Sequence, residues 1–212
     1  MLRDLISAIV ISASMFAMQA RLAAQAPNPT CVECPSTYIP KSELDAYTAR
    51  ALKYNLVDEQ VRAVDLGHSR VGIGMVTRKH LEPGTLRKGG VAEHEQVSEV
   101  YYIIEGSGTI VTGPDLVNPV KRPPDEKTVR LQNGPGFNAD SIKNAQTHNL
   151  KAGDMLIIPA GTGHLWTEIP GDHVTYMMVR IDPDKIVPTK TQAESEADLK
   201  KVPEPQTPRG KQ

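Results

Sequence analysis

Two segments of this 212-residue chain hold residues able to bring nitrogen and oxygen donors together. The first runs from Val91 to Gly108 and contains His94 and Glu99, followed by the aromatic and apolar stretch Tyr101 to Ile104 and a glycine turn at Gly106. The second runs from Gly153 to Glu168, where the apolar residues Met155 to Ile158 stop at a turn holding Pro159 and Gly161 and lead to His164. A histidine and a carboxylate near the ends of adjacent strands, joined by a histidine at the start of another, can point imidazole and carboxylate at one spot. Period-two geometry puts Ala92 and His94 on one face, and His164, Trp166 and Glu168 on one face. The same rule turns Glu93 outward as a solvated charge unless the strand bulges.

The elements that must position these residues are short strands. Val61 to Asp65, Val71 to Met75, Val100 to Val111, Met155 to Ile158 and Val174 to Ile181 are β-type runs cut by Gly, Pro, Asn and Asp. Strands at that density predict an all-β sandwich or barrel over 59–183, and no fixed repeat period is present. Ahead of it, residues 27–58 read as a proline-rich leader and one short helix. Ser42 and Asp45 resemble a capping box there, and Leu44, Tyr47, Ala51 and Leu52 make a partial apolar stripe up to about Lys53. Positions 112–152 form a long polar insert with a strand expected only at Thr128 to Leu131, a loop able to cover one end of a barrel. Residues 184–212 are rich in Lys, Glu and Pro and read as a mobile polar tail, with at most a short helix near Gln192 to Lys200.

Composition narrows the function classes. Lys and Arg number 24 against 25 Asp and Glu, so no basic footprint for nucleic acid or an acidic membrane face exists. The apolar run Leu5 to Met18 after Arg3 suits a signal-peptide core and is shorter than the roughly 20 residues a membrane span needs. Residues 1–26 are therefore expected to be a signal peptide ending at Ala24-Gln25-Ala26, with Ala24 as the alternative cut, and the mature protein to be periplasmic or secreted and free of the membrane. Cys31 and Cys34 read as a local structural disulfide or idle thiols: Pro35 stands where haem attachment requires a histidine.

These two segments resemble the paired motifs of the cupin superfamily. On germin-like spacing, His94 takes the second histidine position of the first motif, Glu99 the glutamate and Gly106 the closing glycine; Gly153, Pro159, Gly161 and His164 fall on the second motif. Leu86 replaces the opening glycine, Ala92 the first histidine, and Glu168 the common asparagine. The resemblance covers about residues 59 to 183 and implies a double-stranded β-helix barrel. It also implies a reduced ligand set of His94, Glu99 and His164 for one divalent metal ion, a facial arrangement that Fe, Mn, Zn, Ni or Cu accepts. A water, Gln96, His80 or His148 can fill the vacated place. His68, His80, His148 and His173 otherwise read as surface or loop residues.

The expected activity is metal-dependent chemistry on a small organic molecule, of oxygenase, decarboxylase, isomerase or lyase type. Glu168 is the candidate acid/base group, and Tyr101, Trp166 and Gln96 the candidate pocket wall. The alternative is a non-catalytic cup for a sugar or phenolic ligand, in which His94, Glu99 and His164 form a hydrogen-bonded cluster without metal. A purely structural module ranks last. A homodimer is expected from the resemblance alone.

Overall fold

The computed structural model describes residues 30–32, 34–85 and 87–203. The expected signal peptide (1–26), Leu86 and the end of the tail (204–212) lie outside the described residues. Cys31 and Cys34 are disulfide-bonded.

Helix α1 (Lys41–Tyr54) is followed by twelve strands: β1 (Asp58–Asp65), β2 (Arg70–Leu81), β3 (Val91–His94), β4 (Ser98–Glu105), β5 (Ser107–Gly113), β6 (Asp115–Val117), β7 (Val120–Lys121), β8 (Gly136–Ala139), β9 (Ser141–Lys143), β10 (Gln146–Lys151), β11 (Met155–Ile158) and β12 (Gly163–Asp182). A second helix, α2 (Gln192–Lys200), ends the described chain. Among the described residues every strand pairing is antiparallel.

Strand β12 links the two faces of the barrel. Its first part, Gly163 to Glu168, lies against β5, with His164 opposite Ala92 of β3. Its later part, His173 to Asp182, lies between β2 and β4. One face therefore runs β1-β2-β12-β4-β11, and the other runs β7-β8-β3-β12-β5-β10. This is the double-stranded β-helix that the motifs imply.

Inward residues of both faces fill the barrel. Val76, Tyr101, Ile103, Ile110, Trp166, Val174, Tyr176 and Met178 pack as one cluster. Their period-two spacing on β4 and β12 is what makes those strands legible in sequence. The closing glycine of the first motif, Gly106, has φ +78, and a Cβ there would sit 2.4 Å from the His173 carbonyl oxygen, so only glycine fits this turn.

Four expectations are corrected. Helix α1 starts at Lys41 behind Pro40, with no side-chain cap, so Ser42 is not its cap; Pro40 supplies the extended entry instead. The predicted strand Thr128 to Leu131 is a single π-type turn, Val129–Asn133, while the insert forms strands β6 to β10. Its polar composition hid strands that are exposed on one or both sides.

The third concerns the tail: the short helix read near Gln192 to Lys200 is present as α2, with a capping box between Thr191 and Glu194, but it is docked. The Ser195 hydroxyl reaches Glu43 Oε1 and the Val61 carbonyl, each at 2.8 Å, and the Tyr47 hydroxyl at 2.9 Å. Leu199 packs against Tyr47, Val61 and Met75 outside the barrel. A charge-rich sequence concealed one buried serine and one leucine that join this nine-residue helix to α1, with Asp198 paired to Lys190 at 2.6 Å.

The fourth concerns Glu93. It faces away from His94 as expected, yet it is buried, because its Oε2 accepts the Phe137 backbone N–H at 3.0 Å from β8. Burial pushes its carboxyl pKa up, against that hydrogen bond.

Candidate metal centre

His94 ends β3, Glu99 is the second residue of β4, and His164 is the second residue of β12. All three point into the end of the barrel, and one ligand atom from each lies within 4.8 Å of the others. They are almost fully enclosed, with exposures of 3 %, 1 % and 4 %. The turn carrying Pro159 and Gly161 brings the third residue in: the Gly161 backbone N–H donates to the His94 carbonyl oxygen at 2.7 Å.

The two histidines are held in opposite ways. His164 Nδ1 lies 3.3 Å from the Thr162 carbonyl oxygen, which can only accept, so Nδ1 carries the proton. Burial pushes the His164 pKa down to about 4, with the Glu99 carboxylate opposing it. The ring is therefore neutral at ordinary pH, and its Nε2 lone pair faces Glu99 Oε2 at 3.5 Å. A backbone carbonyl behind Nδ1 is the partner that a metal-binding imidazole ordinarily has.

His94 is set the other way round. Arg122, buried in the segment after β7, lies with Nη1 3.2 Å from His94 Nδ1. A guanidinium only donates, so Nδ1 accepts and the proton of the neutral ring sits on Nε2, 3.3 Å from Glu99 Oε1.

Glu99 is the charge at the middle of this cluster. Burial pushes its pKa up, but the His94 ring, which turns its Nε2 proton toward the carboxylate, and the Arg180 guanidinium outweigh burial and hold the carboxyl well below the usual range. Tyr101 donates its hydroxyl to Glu99 Oε2 at 2.9 Å, and Arg180 Nε lies 3.7 Å from Oε1. Arg180 is itself fixed by Asn133, Gln60 and Asp58. Burial and the Glu99 charge push the Tyr101 pKa well up, so this phenol stays a donor.

The other candidate residues separate into those near the cluster and those away from it. Tyr101 touches it directly, its ring edge-on to His164 with centroids 6.2 Å apart. Trp166 is inside the barrel, 5.6 Å from Tyr176 between ring centroids. Glu168 is not on the His164 face: the register shifts between Trp166 and Glu168, and this bulge leaves Glu168 opposite Thr109, whose hydroxyl lies 3.4 Å from its Oε2. Gln96 also turns away, its amide reaching Asp184 at 3.4 Å. His80 pairs with Glu82 at 2.9 Å, and His148 meets the Thr112 hydroxyl at 3.0 Å; neither belongs to the cluster.

Sequence reasoning missed Arg122 and Arg180. Arg180 carried a signal: it continues the inward series Val174, Tyr176, Met178 as a charge where an apolar residue belongs. Arg122, between Lys121 and a proline pair in the insert, carried none.

With the residues of both motifs meeting at one end of an antiparallel barrel, the architecture is decided. The fold is that of the cupins. No family model matches the sequence, and no curated protein matches it. Solved structures do resemble it distantly. BH2720 from Bacillus halodurans is 15 % identical with a TM-score of 0.41, covering 78 % of this chain and 97 % of that one. An RmlC-like cupin with a double-stranded β-helix fold from Methanocaldococcus jannaschii is 14 % identical with a TM-score of 0.33, covering 73 % and 96 %. A cupin-2 domain protein from Shewanella frigidimarina is 14 % identical with a TM-score of 0.33, covering 66 % and 95 %.

Proposed function

We propose that this chain is a metal-dependent enzyme acting on a small organic molecule, its metal held by His164, Glu99 and His94. The observation that carries this reading is the meeting of two acceptors in a buried place: a neutral imidazole nitrogen of His164 and a carboxylate oxygen of Glu99, 3.5 Å apart. Two lone pairs face each other favourably only around a cation or a proton, and burial, which pushes the His164 pKa down to about 4, disfavours the proton. Two imidazoles and one carboxylate suit Fe, Mn, Zn, Ni or Cu. A metal bound there would polarise a carbonyl or carboxylate, or activate water or dioxygen.

The chain's own residues would do the rest. Thr162 orients His164 through its carbonyl oxygen, and Tyr101 and Arg180 hold Glu99 ionised and aimed at the centre. Tyr101 also walls the side of the cluster toward the aromatic interior.

Elemental analysis of purified protein tests the reading. Wild type is expected to carry about one metal equivalent, lost in His164→Ala and in Glu99→Gln while both variants stay folded. Full occupancy in both variants removes this site.

A second reading is a metal-free cup that binds a sugar or phenolic ligand without turnover. Two observations favour it: Ala92 vacates one ligand position, and Arg122 already occupies His94 Nδ1. Tight ligand binding by metal-free protein, with no product formed, selects this reading over the first.

Export and pairing complete the proposal. Residues 1–26 act as a signal peptide and the mature protein is periplasmic or secreted. N-terminal sequencing of the mature protein should begin at Pro27, or at Gln25 from the alternative cut; a start at Met1 excludes cleavage. A homodimer is tested by mass measurement in solution.

A further inference from the structure

We infer that Arg122 and a metal ion compete for His94, so that the insert residue Arg122 sets the metal affinity of the centre. The inference rests on the metal-dependent reading above.

The competition follows from donor and acceptor counts. A neutral imidazole has one N–H and one lone pair. To bind a metal through the Nε2 that faces Glu99, His94 must keep its lone pair there and carry its proton on Nδ1. An N–H on Nδ1 would then meet Arg122 Nη1 at 3.2 Å, a donor facing a donor. One of the two arrangements must give way. His164, whose Nδ1 faces a carbonyl oxygen at 3.3 Å, has no such conflict.

Arg122 is not easily moved. Its Nε donates to Asn138 Oδ1 at 3.0 Å, its Nη2 to the Phe137 carbonyl oxygen at 3.1 Å, and its backbone N–H to the Gly136 carbonyl oxygen at 2.9 Å. All three partners are on β8, the strand paired with β3 that carries His94. A metal that recruits His94 must therefore displace the guanidinium from His94 and loosen its hold on β8. This couples metal entry to movement of the insert, with Arg122 as a positioning residue for the ligand.

Partners of metal-bound histidines usually change affinity by about 10–100-fold when altered, normally downward. Here the sign is reversed. Arg122→Gln, whose carbonyl oxygen can accept from Nδ1, is expected to bind Zn or Mn about tenfold or more tightly than wild type by titration calorimetry. Arg122→Met, which removes the donor without replacing it, should also bind more tightly, and Arg122→Lys, which keeps a donor-only cation, should not gain. Nitrogen NMR of histidine-labelled, metal-free wild type reads the starting state directly: His94 should be protonated on Nε2 and not on Nδ1.

Tighter binding in Arg122→Gln and Arg122→Met together with that proton placement supports the competition. Equal affinity in wild type and both variants, or a proton on His94 Nδ1, overturns it and leaves the metal centre standing. No metal binding in any of the proteins removes the centre and the competition together.

Discussion

The backbone N–H of Gly161 donates to the carbonyl oxygen of His94 at 2.7 Å. One hydrogen bond thus ties the turn of the second motif to the strand end of the first. Beside it, the Ala160 backbone N–H donates to the Ser98 hydroxyl at 3.0 Å. The turn is therefore fastened at both ends of the loop between His94 and Glu99, and His164 arrives beside them on a fixed path.

Restoring the vacated ligand position should tighten metal binding. Ala92 lies opposite His164 in register and on the same strand face as His94. Ala92→His is expected to raise affinity by about tenfold or more, measured by competition against a chelator of known strength. Unchanged affinity in a folded variant would show that position 92 does not face the centre.

Acidification should destabilise the metal-free protein. The unfolded His164 imidazole takes up a proton near its ordinary value of 6.5, whereas the buried folded one does so only near 4. Between those values the unfolded chain binds more protons, so stability falls as pH drops from 6.5 to 4. Glu99 acts in the same direction at lower pH: its folded pKa is depressed, so its contribution is present above about 4.5 and is lost on further acidification. Urea midpoints measured from neutral pH downward should decline across the histidine range in wild type, and a flat profile there would contradict the burial of a neutral His164.

Gly106→Ala should be costly although the change is one methyl group. The residue has φ +78, and the added Cβ would lie 2.4 Å from the His173 carbonyl oxygen. Strain of this kind costs on the order of 1–3 kcal/mol, and the clash adds to it. Denaturant unfolding reads the loss, and a variant as stable as wild type would mean that the turn can rearrange.

The docking of α2 should depend on a single buried hydroxyl. Ser195→Val removes bonds to Glu43, Tyr47 and the Val61 carbonyl. Unsatisfied buried groups of this type cost about 1–3 kcal/mol each. The variant is expected to show faster amide exchange across Gln192–Lys200 and earlier cleavage there by protease. Wild-type protection would show that Leu199, the Asp198–Lys190 ion pair and the Tyr47 bond to the Ser195 carbonyl hold the helix without the hydroxyl.

Much of the barrel was legible because its strands repeat every second residue. Val174, Tyr176 and Met178 on β12 and Tyr101 and Ile103 on β4 announce an inward face, and Gly106 and Gly161 mark turns that few other residues can make. His94, Glu99 and His164 were legible as a group through the resemblance of the two segments to the paired cupin motifs, which place them at the ends of such strands. The same rule failed at Glu168, where a bulge changes the parity within two residues of Trp166. It failed differently at Glu93, which is buried on the outward side of β3 with its carboxylate accepting the Phe137 backbone N–H from the neighbouring strand β8.

The sequence by itself determined which residues alternate and where the chain turns, since those are properties of neighbours along the chain; that His94, Glu99 and His164 form one set is what the resemblance of the two motifs implied. Only the tertiary structure decided which way each ring holds its proton. That choice belongs to the Thr162 carbonyl beside one histidine and to Arg122, 28 residues from the other. Hydrogen-bond partners of that range are set by the closure of the barrel and the path of the insert, and no local pattern encodes them.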